Sequence, residues 1–147
     1  MKTIVFILLL GINLSYNPQA ALNYASKYCS SYNQQYNNYR NLGGDCANFV
    51  SQCMSAGGQS FSGCAGIDNK GMVPGEANLQ TCLQSKGWKK YETQPKSFKA
   101  GYPIFMKAYR HAMLATGFSG SNIKFSAHTD DHCDANIPAS YVYFYSK

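Results

Sequence analysis

The segment that most constrains this chain is Gly43-Gly44-Asp45-Cys46-Ala47-Asn48-Phe49-Val50-Ser51-Gln52-Cys53, closed by Gly57-Gly58. It reads as a tight glycine turn, a capping residue, a cysteine on the first helical position, and then a helix. Asp45 is placed to accept from the free backbone N–H groups of the first turn. Phe49, Val50, Cys53 and Met54 recur at the three-to-four-residue spacing of a single buried stripe. The glycine pair ends the helix, since glycine takes the left-handed C-terminal turn without steric penalty. Cys46 therefore sits where the helix dipole and unpaired N–H groups favour an anion. A thiolate is stabilised there, which makes Cys46 a candidate nucleophile.

The rest of the chain sets the frame around that helix. Lys2 followed by an apolar run from Thr3 to Ile12 is too short to span a bilayer and reads as a secretory signal peptide over residues 1–15. Residues 16–147 then form one domain large enough for a real core, exported and without a stable membrane anchor. The formal net charge is +6, which favours solubility and anionic partners such as bacterial envelopes. No basic run or known motif points to nucleic acid. In an exported chain six cysteines suggest three disulfides. A nucleophilic Cys46 leaves a second thiol free, and Cys53, on the apolar stripe, is the natural one. Cys29, Cys64, Cys82 and Cys133 allow three connectivities. Cys64–Cys82, stapling the glycine-rich middle, with Cys29–Cys133 is the favoured pairing. There is no C-x-x-C spacing, so no metal site is expected.

Asn17-Pro18 predicts a helix start, with Leu22, Ala25, Cys29 and Tyr32 along one face to about residue 33. Residues 32–41, rich in Asn, Gln and Tyr, read as an ordered loop whose Tyr36 and Tyr39 can line a cleft. Residues 57–75 read as loop, and 77–85 as a short helix stopped by Gly87. Trp88 and Tyr91 flank an extended segment. Four strands follow near residues 102–107, 111–117, 123–128 and 141–145, with a turn at 119–122. Helices first and an antiparallel meander afterwards give an α+β domain, with the Cys46 helix packed on the sheet.

A thiol nucleophile needs a base, and the base an orienting partner. Three histidines are present, His111, His128 and His132. His111 opens a strongly apolar strand downstream of the cysteine and is the candidate base. His128, ending the next strand, can accept from the His111 ring N–H and fix its tautomer. Asp130 competes for that role. His132, in a polar run, reads as a surface residue.

Residues 45–53 with the following glycine pair resemble the hallmark of the amidase-domain family, papain-like-fold proteins related to the CHAP and NlpC-type cysteine amidases. Tyr16-Asn17-Pro18-Gln19-Ala20-Ala21-Leu22-Asn23-Tyr24-Ala25 resembles that family's opening helix. Pro103-Ile104-Phe105-Met106 with His111-Ala112-Met113 resembles its histidine strand pair, and Ser126-Ala127-His128-Thr129-Asp130-Asp131 its late motif. Gly101-Tyr102 departs from the family's usual Gly-Asp, at a position outside the triad. The resemblance implies a papain-like fold with Cys46 as nucleophile, His111 as base and His128 as third polar residue. It further implies a monomeric, cofactor-independent enzyme that hydrolyses a peptide or peptidoglycan-like amide through a thioester. The oxyanion would be held by the Cys46 N–H with Tyr36 or Tyr39. A non-catalytic glycan-binding module on the same fold, or a thiol acyltransferase, are the alternative readings.

Overall fold

The computed structural model describes residues 15–147, so almost all of the expected signal peptide lies outside the described residues. Three helices come first: α1 (Pro18–Tyr28), α2 (Cys46–Ala56) and α3 (Glu76–Ser85). Six strands follow: β1 (Lys89–Tyr91), β2 (Pro103–Met106), β3 (Ala112–Ser119), β4 (Asn122–Ala127), β5 (His132–Pro138) and β6 (Val142–Ser146). They form one sheet in the order β1-β6-β2-β3-β4-β5, and every neighbouring pair is antiparallel. This is the α+β class expected from the sequence, and it is compatible with a papain-like fold.

α1 starts as predicted. The Asn17 side chain accepts from the Ala20 N–H, and Pro18 occupies the first turn. It stops at Tyr28, about one turn short of the expected end. Cys29, its C-cap, still has helical φ and ψ of −63° and −26°, donates to the Ala25 carbonyl, and is bonded to Cys133 on β5. The Tyr28 carbonyl, at the helix end, accepts from the Ser31 N–H at 3.3 Å and from a side chain brought in from the sheet.

α2 is the central helix. Every residue from Ala47 to Met54 is buried, the polar Asn48, Ser51 and Gln52 included. It lies between α1 and β3, so both faces are covered. α3 closes one end through Leu79, Cys82 and Leu83, and Cys82 is bonded to Cys64 in the preceding loop. Both bridges are those favoured from the sequence. Cys46 and Cys53 are the free cysteines, Cys53 fully buried.

The strand missed in the sequence is β5. Its side chains are exposed or half-buried throughout, as befits an edge strand. Cys133, Ala135 and Ile137 alternate with the polar His132, Asp134 and Asn136, but two of the three are small and none is fully buried, so the signal is weak. The β4–β5 connection turns through Thr129 and Asp130, both with positive φ of 62° and 56°. That tight turn brings Thr129 to the start of α2.

Candidate active site

Cys46 is the first residue of α2 and is half-buried. Gly43 and Gly44 precede it with φ of 103° and 109°, a region open to glycine at little cost. A Cβ on Gly44 would stand 3.3 Å from Thr129 Oγ1, so the turn also leaves room for the β4–β5 connection. Backbone N–H groups of Ala112, Ala47 and Cys46 favour the ionised form of the thiol. Ala112 opens β3 and directly follows His111. Thus the start of β3 lies near the N-terminus of the cysteine helix, while His111 itself is not among the residues lining the cleft beside Cys46.

The electrostatics of the sulfur differ from the expectation. Burial pushes the Cys46 thiol above its ordinary value, and it outweighs the three N–H groups, which act the other way. Glu76 on α3 adds to the rise through its charge. The helix start therefore limits the desolvation penalty without creating a resting thiolate. His111 is shifted down, first by burial and then by the neighbouring His132, while Asp130 opposes the shift. Its ring lies 6.1 Å from that of Tyr109 with an interplanar angle of 28°.

Asp45 and His128 are placed otherwise than the sequence suggested. Asp45 stands at the N-cap position, but its carboxylate makes no capping bond to the helix. It turns inward, fully buried, where Oδ1 accepts from the Tyr39 N–H at 2.9 Å and from Asn48 Nδ2 at 2.9 Å. Its Oδ2 lies 2.7 Å from His128 Nδ1. The Asp45 N–H donates to Thr129 Oγ1 at 2.8 Å. His128 Nε2 donates to the Tyr28 carbonyl at 2.6 Å, since a carbonyl oxygen can only accept. The imidazole is sandwiched between Phe49, at 4.1 Å, and Tyr32, at 4.2 Å between centroids. With both nitrogens engaged, His128 has none to offer His111. The expected His111–His128 bond is not formed, and Asp130 acts on His111 only through its charge.

Beside Cys46 lies a cleft of about 420 Å³, walled by Tyr39, Leu42, Gly44, Pro74, Glu76 and Arg110. Tyr39 reaches this cleft, but its hydroxyl donates to Asp68 at 2.9 Å, so it is not free to donate to an oxyanion. Tyr36 is half-buried against the core and is not in the cleft wall. A larger hollow of about 510 Å³ lies between α1 and β3–β5 and contains neither Cys46 nor His111. Among the described residues no His, Cys, Asp and Glu cluster is arranged to hold a metal ion.

The match to known proteins rests on the first two thirds of the chain. Residues 15–102 fit the family model described as "Putative amidase domain", which is more than half of the sequence. The chain belongs to that family. Membership points to hydrolysis of an amide bond by this amidase-domain protein. The match takes in Asp45, Cys46 and Glu76 and ends before β2, so His111, His128 and Asp130 lie beyond it. No curated protein and no solved structure matches the chain.

Glu76 and Arg110 are the residues of this amidase-domain cleft that sequence reasoning passed over. Glu76 looks like an ordinary first-turn carboxylate and Arg110 like a loop cation. Only the approach of α3 and the β2–β3 hairpin to Cys46 shows that they share a cavity with the sulfur.

Proposed function

We propose that this protein is a cysteine-dependent amidase or peptidase related to the CHAP and NlpC types, exported and acting on peptide or peptidoglycan-like amides. The observation that carries this reading is the free Cys46 at the start of α2, lining an open cleft. A basic chain with two disulfides suits an oxidising compartment and an anionic wall. Among the described residues, no helix is long and apolar enough to cross a membrane.

In this mechanism His111, held neutral by burial, takes the Cys46 proton as Sγ attacks the amide carbon. The C–S bond forms and the carbonyl oxygen becomes an oxyanion, stabilised by backbone N–H groups at the helix start. The C–N bond then breaks, and His111 returns its proton to the leaving amine. Water attacks the thioester with His111 again as base, releasing the carboxylic acid and restoring the thiol. A raised thiol makes proton transfer part of the attack, so the base is essential.

The reading is tested on peptidoglycan fragments and simple peptide amides, with release of amine as the readout. Cys46→Ser and His111→Ala should each lower kcat by about 100-fold or more, the usual contribution of such groups. Full activity in Cys46→Ser would overturn cysteine dependence.

A further inference from the structure

The Cys46 cleft carries two side chains of opposite charge, Glu76 and Arg110, that the protein leaves unpaired. The ion pairs among the described residues are Lys107–Glu92 and His128–Asp45. Neither the half-buried Glu76 nor the exposed Arg110 is neutralised by them, and both line the same cavity as the sulfur. Glu76 is also held in position. Its Oε1 accepts from Gln80 Nε2, and Gln80 Oε1 accepts from the hydroxyl of the buried Tyr145 at 2.6 Å. The second carboxylate oxygen has no hydrogen-bond partner among the described residues.

A carboxylate in the first turn of a helix suits the dipole, but that requires only the position. It does not require a Tyr145–Gln80 relay, nor a place in the wall of the nucleophile's cleft. There the charge works against ionisation of Cys46. An unpaired charge that opposes the resting site becomes useful when a ligand of opposite charge covers it.

We propose that the cleft selects a dipolar peptide substrate. Glu76 receives a protonated amine and Arg110 a carboxylate, on either side of the amide that meets Cys46. This rests on the hydrolase reading of the site. The remaining wall, largely Tyr39, Leu42, Pro74 and glycine backbone, supplies contact area, so the two charges set orientation and specificity. Docking of the amine also cancels the field of Glu76 at the sulfur, which couples recognition to activation of the nucleophile.

The test separates binding from turnover. Calorimetry on Cys46→Ser protein compares trialanine with free termini, its two singly capped forms and the doubly capped form. The free peptide should bind at least about ten-fold more tightly than the doubly capped one, the scale of one charge-assisted contact. Glu76→Gln should erase the advantage of a free amine, and Arg110→Gln that of a free carboxylate. Equal affinity for all four peptides, or no binding by any at millimolar concentration, would overturn the proposal. Wild-type protein is then assayed for cleavage of the same set. Cleavage with no preference for charged ends refutes the recognition and leaves the hydrolase. Selective binding without cleavage refutes the hydrolase and leaves the recognition.

Discussion

Replacing His128 by alanine should cost stability, not chemistry. The imidazole is fully enclosed, bridges Asp45 Oδ2 and the Tyr28 carbonyl, and stacks between Phe49 and Tyr32. His128→Ala leaves a buried carboxylate oxygen without a partner and takes one of its two donors from the Tyr28 carbonyl, which keeps the Ser31 N–H. Removing one member of a buried hydrogen-bonded pair costs about 3–5 kcal/mol. The lost carbonyl partner and ring contacts fall largely within that range, because such neighbours are not additive. With a urea slope of about 2 kcal/mol/M, the midpoint should fall by about 2 M. That is a large part of a small domain's total, so a gentler variant is needed alongside. Asp45→Asn keeps the Oδ1 acceptor, and its amide can donate to His128 Nδ1 while Nε2 still donates to Tyr28. Its cost should be about 1 kcal/mol, the net scale of one ordinary hydrogen bond. Urea unfolding gives the stabilities, and iodoacetamide labelling of the folded protein reports Cys46 independently. His128→Ala with a wild-type midpoint and a lost hydrolytic rate would refute this reasoning and return His128 to the catalytic machinery.

Four further outcomes are expected. The labelling rate of Cys46 should keep rising through pH 8.5, the ordinary thiol range, because burial holds the thiol up; a plateau at mildly acidic pH would show an activated thiolate instead. His111, shifted down, stays neutral to below its usual pH of about 6.5, so the acid limb of kcat/KM should lie below that value, and His111 should weaken the fold only as pH falls from there towards its lowered value. The Cys29–Cys133 bridge spans 104 residues and the Cys64–Cys82 bridge 18. By loop-closure entropy the longer one stabilises by about 1.6 kcal/mol more, so the Cys29→Ser/Cys133→Ser pair should melt lower than Cys64→Ser/Cys82→Ser, and the reverse order would refute it. Gly101→Ala should be strongly destabilising, by about 3 kcal/mol or more. Gly101 has φ of 90°, and a Cβ there would stand 2.5 Å from the Pro18 carbonyl. An unchanged melting temperature would count against this packing of α1 on the β2 entry.

The local parts of this protein were legible in its sequence. Asn17-Pro18 opened α1, the glycine pairs bracketed α2, and apolar runs marked β2, β3, β4 and β6, because caps, turns and periodicity act over a few residues. The identity of Cys46 as a helix-start cysteine was equally local. What the sequence could not give is what depends on groups distant along the chain. Asp45 looked like a cap because nothing near it reveals Tyr39 and His128 waiting in the interior. His128 looked like a partner for His111 because both end or open strands, yet the end of α1 claims one of its nitrogens. β5 carries only a weak alternation of Cys133, Ala135 and Ile137, and pairing with β4 and the Cys133 bridge fix it as a strand. The thiol of Cys46 sits high because tertiary packing removes water around it, and desolvation there exceeds what a helix terminus returns. The sequence by itself determined where the helices and inner strands begin and where a nucleophile could stand. The tertiary structure alone decided which buried groups face one another, since burial and distance, not order along the chain, set their charge and their partners.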